Sequence, residues 1–290
     1  MRWQGKLLQR CGGYGGFYYV LAGEKVWECS LRGRFRWQKL DILPGDEVEI
    51  LTREDSRGTV EAVLPRRNAL RRPPVANVDL AVLVFSLAKP APDETLLNRL
   101  LVQAAWVGLE AVLAFTKADL LPEEARQAPD VYRRAGYETH CVSAVSGEGL
   151  PELGARLRGR VSVLMGKSGV GKTTLLNALG GFRHKTGELS ARGERGRHTT
   201  RQVELLRVAG GLIADTPGYS TYYFPDIKPA ELGRCFPEIA RAAVCRFKGC
   251  LHDQEPDCAV KAAVAAGTIA QLRYDYYLSF LRELRRRKPH

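Results

Sequence analysis

Nine consecutive residues, Gly166-Lys167-Ser168-Gly169-Val170-Gly171-Lys172-Thr173-Thr174, follow the spacing G-x-x-x-x-G-K-[ST]. They lie directly behind the apolar run Val161-Ser162-Val163-Leu164-Met165 and ahead of Leu175, Leu176, Ala178 and Leu179, which recur at helical spacing. A buried strand, a glycine-rich turn and a helix are the context in which such a loop binds phosphate. The glycines let backbone N–H groups turn inward around the anion, and the N-terminus of the helix adds its positive dipole end. On this reading Lys172 acts in catalysis by reaching the β- and γ-phosphates, and the hydroxyl of Thr173 holds Mg²⁺.

A second group, Thr116-Lys117-Ala118-Asp119, ends an apolar stretch at 111–115. A carboxylate such as Asp119 offers two acceptors, and guanine presents two donors, N1–H and the 2-amino group, along one edge. Adenine would leave one oxygen facing an acceptor, a penalty of roughly 1–3 kcal/mol in a closed site, so guanine is preferred. Ser143-Ala144, at the end of the next apolar run, stands where backbone contacts to the guanine oxygen are expected. Asp215-Thr216-Pro217-Gly218 follows another such run and resembles a D-x-x-G element, in which Asp215 holds Mg²⁺ through water and the Gly218 N–H senses the γ-phosphate.

A third group, Cys245-x₄-Cys250-x-His252-x₅-Cys258, occupies a polar, turn-forming stretch. Three thiolates and an imidazole complete a tetrahedral shell, which predicts one closed, structural Zn²⁺ with no open coordination position. The other cysteines, Cys11, Cys29, Cys141 and Cys235, lack companions at ligand spacing and read as packing residues.

The elements that must position these groups divide into three. Residues 1–70 show short alternating runs, 17–20, 25–29, 46–50 and 58–63, broken by turn signals, which predicts an OB-like antiparallel β-barrel. Within it Arg32, Arg34, Arg36 and Lys39 alternate with Phe35 and Trp37, a charge-and-stacking pattern suited to RNA and equally to an ordinary strand with its aromatics facing the core. Pro65-Arg66-Arg67-Asn68 and Arg71-Arg72-Pro73-Pro74 read as a stiff basic linker. Residues 71–230 alternate strands (79–86, 111–115, 138–142, 161–165, 211–214) with helices (93–107, 123–135), the pattern of an α/β domain with a mostly parallel sheet. Residues 231–290 hold the cysteine group and two helices, at 259–266 and 269–284, and end in a basic run.

The chain has 290 residues and a formal charge of +12, which favours a polyanionic partner such as RNA. The longest uncharged apolar run, 80–88, is about half a membrane span, so no membrane association and a cytoplasmic location are expected.

The order of the motifs is itself informative. Ras-like GTPases place the phosphate loop first and the base-reading loop last, whereas here 116–119 and 143–144 precede 166–174 and 215–218. Joining the old termini and opening the chain elsewhere preserves the sheet, so the sequence describes a circularly permuted P-loop GTPase. With a basic barrel before it and a Cys₃His group after it, the chain closely resembles the RsgA family of ribosome-dependent GTPases over essentially its whole length. That resemblance implies late maturation of the small ribosomal subunit, binding of the subunit and its 16S-type rRNA, GTP hydrolysis stimulated by the subunit, and a monomer. An alternative reading is a GTP-responsive RNA-binding switch in which hydrolysis is incidental.

Between the phosphate loop and D-x-x-G, residues 181–201 are rich in glycine and charge and read as a first switch. Thr200 or Thr199 supplies the second hydroxyl ligand of Mg²⁺, with Thr200 favoured. Tyr219 stands where Ras-like enzymes carry the glutamine that orients water, so intrinsic hydrolysis should be slow; the family resemblance makes His198, or a ribosomal group, the candidate for that role. Thr116 departs from the commoner asparagine, whose amide braces base and phosphate loop; the change leaves the Asp119 contact intact and bears on how tightly guanine is held.

Overall fold

The computed structural model describes residues 1–11, 16–33, 42–53, 55–71, 73–123, 126, 128–181, 203–215, 226–242 and 244–287. Strands β1 (Arg2–Cys11), β2 (Phe17–Ala22), β3 (Lys25–Leu31), β4 (Glu47–Thr52) and β5 (Arg57–Val63) form a closed barrel of order β1-β2-β3-β5-β4. Alternation sets its two faces: Leu7, Val20, Cys29, Val48, Ile50 and Val60 fill the interior, while Glu47 and Arg57 between them face solvent. β1 escapes a reading by alternation because its register shifts between Leu7 and Gln9 and puts Leu7 and Leu8 side by side. Of the cationic and aromatic residues assigned to an RNA face, Arg34, Phe35, Arg36, Trp37 and Lys39 lie outside the described residues. Arg32 is described and pairs with Glu61.

The expected linker is instead tied into the fold. Arg66 makes a bidentate pair with Asp46, Nε to Oδ1 at 2.6 Å and Nη2 to Oδ2 at 2.8 Å, and Leu43 N donates to the same carboxylate. Asp46 has no exposure to solvent, so this partner is obligatory. Short strands β6 (Ala69–Arg71) and β7 (Pro74–Ala76) then pair antiparallel, with Arg71 opposite Pro74. A two-stranded ribbon tolerates proline because the missing N–H has an open edge to face.

Six strands make the second sheet: β8 (Leu80–Ser86), β9 (Glu110–Thr116), β10 (Glu138–Cys141), β11 (Val161–Met165), β12 (Glu204–Val208) and β13 (Gly211–Asp215), in the order β10-β9-β8-β11-β13-β12. β8 and β11 are buried at every position, as continuous apolar runs are when helices cover both faces. β9 with β10 and β11 with β13 are parallel, and the edge strand β12 runs antiparallel to β13. Helix α1 (Glu94–Trp106) starts at Asp93, whose Oδ1 accepts from Leu96 N at 3.0 Å, a cap worth about 0.5–2 kcal/mol. The helix expected over 123–135 is confined to α2 (Ala128–Ala135), with Pro129 in its first turn, where a missing N–H does no harm. α3 (Leu150–Leu157), α4 (Lys172–Gly180), α5 (Pro237–Ala240), α6 (Ala259–Ala265) and α7 (Gln271–Arg286) follow in chain order, with a 3₁₀ helix at Pro229–Cys235 ahead of α5.

The chain falls into two compact units. One contains the barrel, the β6–β7 ribbon and strands β11, β13 and β12. The other contains most of β8, then α1, β9, α2, β10, the phosphate loop and the C-terminal helices. In the second unit, Leu232, Phe236, Tyr277, Phe280 and Leu281 form the core under α7. Arg273 of α7 is 1% exposed and points Nε at Glu238 Oε1, 2.6 Å away, with Asn98 of α1 as a further acceptor.

Candidate nucleotide site and metal centre

The phosphate loop leaves β11 at Gly166, where φ is +154° and a Cβ would stand 2.1 Å from the Val84 carbonyl oxygen, so only glycine passes. Ser168 and Gly169 are exposed at the loop's crest, Val170 is buried beneath it, and Leu175 N donates to Gly171 O at 2.8 Å to start α4. Lys172 sits in that first turn, and its Nζ donates to Gly166 O at 2.7 Å and Lys167 O at 2.6 Å. The lysine thus spans the mouth of the loop, the place from which an ammonium neutralises phosphate charge. Thr173 and Thr174 follow it in the same turn. Lys167 pairs with Asp93 at 2.5 Å, so the loop is held from outside by the residue that caps α1.

The loop predicted to read the base, Thr116–Asp119, is built from the end of β9. The Thr116 hydroxyl, buried, lies within hydrogen-bond reach of Phe85 O, at 3.1 Å, and of Val170 O in the phosphate loop. A single hydroxyl proton serves the two carbonyls in turn, and the bracing assigned to asparagine in such loops is carried here by Oγ1. Lys117 adopts the left-handed conformation, φ +62° and ψ +37°, which costs roughly 1–2 kcal/mol. It aims Nζ at Gly169 O, 3.1 Å away, and at Lys89 O. Ala118–Leu120 then turn as a 3₁₀ helix and leave Asp119 exposed.

Asp119 is joined to the second loop by a side chain. Ser143 Oγ, on a fully buried residue, donates to Asp119 Oδ1 at 2.6 Å and accepts from Val145 N and Ser146 N, both at 3.1 Å. A carboxylate oxygen has two lone-pair directions, so accepting from Ser143 leaves both oxygens able to face a base. Ala144, beside it, is half-buried. Sequence reasoning missed Arg126, which donates to Ala118 O at 2.7 Å and to Glu148; an isolated arginine in a charged stretch carries no motif.

Asp215 is the last residue of β13, opposite Glu204. His198, Thr199, Thr200, Thr216, Pro217, Gly218 and Tyr219 lie outside the described residues.

The sulfurs of Cys245, Cys250 and Cys258 and one ring nitrogen of His252 all lie within 4.8 Å of one another. Cys245 Sγ is 3.8 Å from Cys258 Sγ and 3.5 Å from His252 Nδ1, and Cys258 Sγ is 3.4 Å from that nitrogen. A tetrahedral ion with bonds near 2.0–2.3 Å needs ligand separations of about 3.4–3.8 Å, so these residues fit a metal ion. The loop carrying them is held from below: Tyr274 OH donates to His252 O and Tyr277 OH to Leu251 O, each at 2.7 Å. Glu255 accepts from Leu251 N and Asp253 N at 2.9 Å, and these backbone bonds, Leu251's first, hold its carboxyl down at about 2.

A phosphate-loop motif between buried strand and helix, preceded in the chain by the Thr116-Lys117-Ala118-Asp119 loop and set on a mostly parallel sheet, defines a P-loop protein of the circularly permuted GTPase class. The sequence model of the RsgA GTPase matches residues 63–225, and that of the RsgA N-terminal domain matches residues 4–60. The chain belongs to the RsgA GTPase family. The relative from Moorella thermoacetica named small ribosomal subunit biogenesis GTPase RsgA is 49% identical over 97% of this chain and 97% of its own. The relative of the same name from Geobacillus kaustophilus is 48% identical over 94% and 96%. Among solved structures, YloQ, described as a circularly permuted GTPase, is 36% identical with a TM-score of 0.82 over 100% of this chain and 97% of that one. YjeQ from Thermotoga maritima is 35% identical with a TM-score of 0.84 over 99% and 100%. Among the described residues no helix is long and apolar enough to cross a membrane.

Proposed function

We propose that this GTPase binds the small ribosomal subunit and acts in its late maturation, hydrolysing GTP to GDP and phosphate faster on the subunit than off it. The subunit reading is supported by the relatives named small ribosomal subunit biogenesis GTPase RsgA, and the nucleotide reading by the hydroxyl of Thr116, which links the loop bearing Asp119 to the phosphate loop at Val170 O. Asp119 reads the guanine edge, Ser143 and Ala144 close over it, and the 166–174 loop holds the phosphates with Lys172 as the charge-neutralising group. Thr173, Thr200 and Asp215 are assigned to Mg²⁺, Gly218 to the γ-phosphate, and Cys245, Cys250, His252 and Cys258 to one structural Zn²⁺. This reading divides the chain along the sequence into a barrel at 1–70, a GTPase domain at 71–230 and a zinc-binding tail at 231–290. The net charge of +12 suits 16S-type rRNA, and a cytoplasmic monomer suits that partner.

The test is GTP turnover by the full chain with and without small subunits, with binding measured separately. Stimulation by a partner reaches roughly 10³–10⁵-fold in related systems. Subunits that bind yet leave the rate unchanged would sink the stimulated-hydrolysis reading and favour a switch in which hydrolysis is incidental. His198→Ala run beside wild type tests its role in orienting water: full stimulation of the variant removes only that role.

A further inference from the structure

We infer that Arg126 is a positioning residue for guanine selection, acting through the backbone of Ala118 on the aim of Asp119. The inference rests on the reading of Asp119 as the partner of the guanine edge. Arg126 spends its guanidinium on three acceptors from two loops: Nη2 donates to Ala118 O at 2.7 Å, Nε to Leu121 O at 3.1 Å, and Nη1 to Glu148 Oε1 at 2.5 Å. Its side chain is only 15% exposed, although it comes from a charged, surface-type stretch.

Ala118, the residue before Asp119, is fixed on both sides, since its N–H donates to Val142 O at 3.2 Å while Arg126 holds its carbonyl. The second loop is rigid where the arginine grips it. Ser143 N donates to Glu148 O and Gly147 N to Ser143 O, both at 3.0 Å. Gly149 has φ +68°, and a Cβ there would stand 2.3 Å from Cys141 O, so the chain around Glu148 has one course to follow. Arg126 therefore closes, from behind, the same two loops that Ser143 and Asp119 close at the base. A planar fork of donors can serve two carbonyls and a carboxylate together, whereas an ammonium cannot hold all three in that arrangement.

Guanine and hypoxanthine differ by the 2-amino group, which is read by the aim of the Asp119 carboxylate, while the phosphate loop treats both nucleotides alike. The affinity ratio of GDP to inosine diphosphate thus reports on that aim and is insensitive to a general loss of stability. A hydrogen bond to a charged group predicts a wild-type ratio of about 10–100. Calorimetric titration of the full chain with each nucleotide in Mg²⁺, on wild type, Arg126→Met, Arg126→Lys and Asp119→Asn, is the test. Arg126→Met should lower the ratio about fivefold or more while inosine diphosphate affinity stays within about threefold, and Arg126→Lys should fall between, because one of three contacts survives. Equal weakening of both nucleotides by Arg126→Met, an unchanged ratio, or a lysine variant indistinguishable from wild type would each overturn the inference. If Arg126→Met does not fold, Glu148→Gln, which weakens one arm of the fork, must shift the ratio in the same direction or the inference fails. Asp119→Asn separates the two claims: if it abolishes the ratio and Arg126→Met does not, only the role of Arg126 is lost, and if it leaves the ratio intact, the reading of Asp119 falls and takes this one with it.

Discussion

Thr116 carries one hydroxyl where an amide is commoner, and its position between Phe85 O and Val170 O fixes what that hydroxyl can do. Thr116→Val preserves shape and removes the only donor the side chain has, so the one hydrogen bond it shares between Phe85 O and Val170 O is lost at a cost of about 1–3 kcal/mol. GDP and inosine diphosphate should therefore weaken together by about tenfold, the signature of a loosened phosphate loop rather than of lost base reading. Calorimetry showing a change in the ratio of the two nucleotides instead would mean that Thr116 touches the base. Lys172→Ala should abolish turnover while the melting temperature holds, because an ammonium donating to loop carbonyls contributes charge and little packing. The contrast between these residues shows what a sequence exposes. Readings for Lys172, Asp119 and the four Cys/His residues of ligand type are available from the sequence because spacing along the chain encodes such chemistry. The roles of the Thr116 hydroxyl, of Ser143 Oγ and of Arg126 are not, since each is created by an approach across 54, 24 and 8 residues that no local pattern records.

At the scale of elements, the loop bearing the Cys₃His cluster and the helix beneath it make separable contributions. Cys250→Ala, or chelation, should expose 245–258 to proteolysis while GDP binding survives, because that stretch is too polar to hold itself without a metal ion. Stoichiometric zinc retained by Cys250→Ala would contradict the ligand set. Glu255 adds a pH dependence whose sign follows from its shift. Its carboxyl is lowered from an ordinary 4.5 to about 2, so the stabilisation is present above the unfolded value and is lost as pH falls through that window. The gap in melting temperature between wild type and Glu255→Gln should be widest near pH 7 and narrow below about pH 4.5; a gap that stays flat would show that the carboxylate charge contributes nothing. Arg273→Met should cost about 3–5 kcal/mol by stranding Glu238, which is 7% exposed, and a second change, Glu238→Gln, should recover part of it. The α7 pattern is plain in the sequence, but its buried arginine reads there as one more surface charge. β12 was missed for a related reason: an edge strand of five residues with a glutamate at one end and an arginine inside has too little alternation to declare itself.

For the whole molecule, the order of the motifs reveals the permutation without any coordinates, because covalent order survives in sequence even when spatial order must be inferred. What the order does not reveal is that the stretch after the barrel is fastened down, through the buried pair Arg66–Asp46, rather than left as a spacer. Net charge is the remaining whole-chain property, and it makes a prediction independent of every residue assignment. A protein of charge +12 that docks on rRNA releases condensed counterions as its lysines and arginines neutralise phosphates, whereas a nucleotide enclosed by a phosphate loop meets few additional ions. Affinity for small subunits should fall by about 10²-fold or more between roughly 50 and 200 mM KCl, while GDP affinity of the free protein changes by less than about threefold. Arg53 and Arg57 stand exposed on the barrel, and changing each to glutamine should reduce the slope of log affinity against log salt by about one where that residue meets phosphate, with GDP binding untouched. A subunit affinity that ignores salt would mean that docking rests on protein contacts or on shape, and that the basic composition serves some other end.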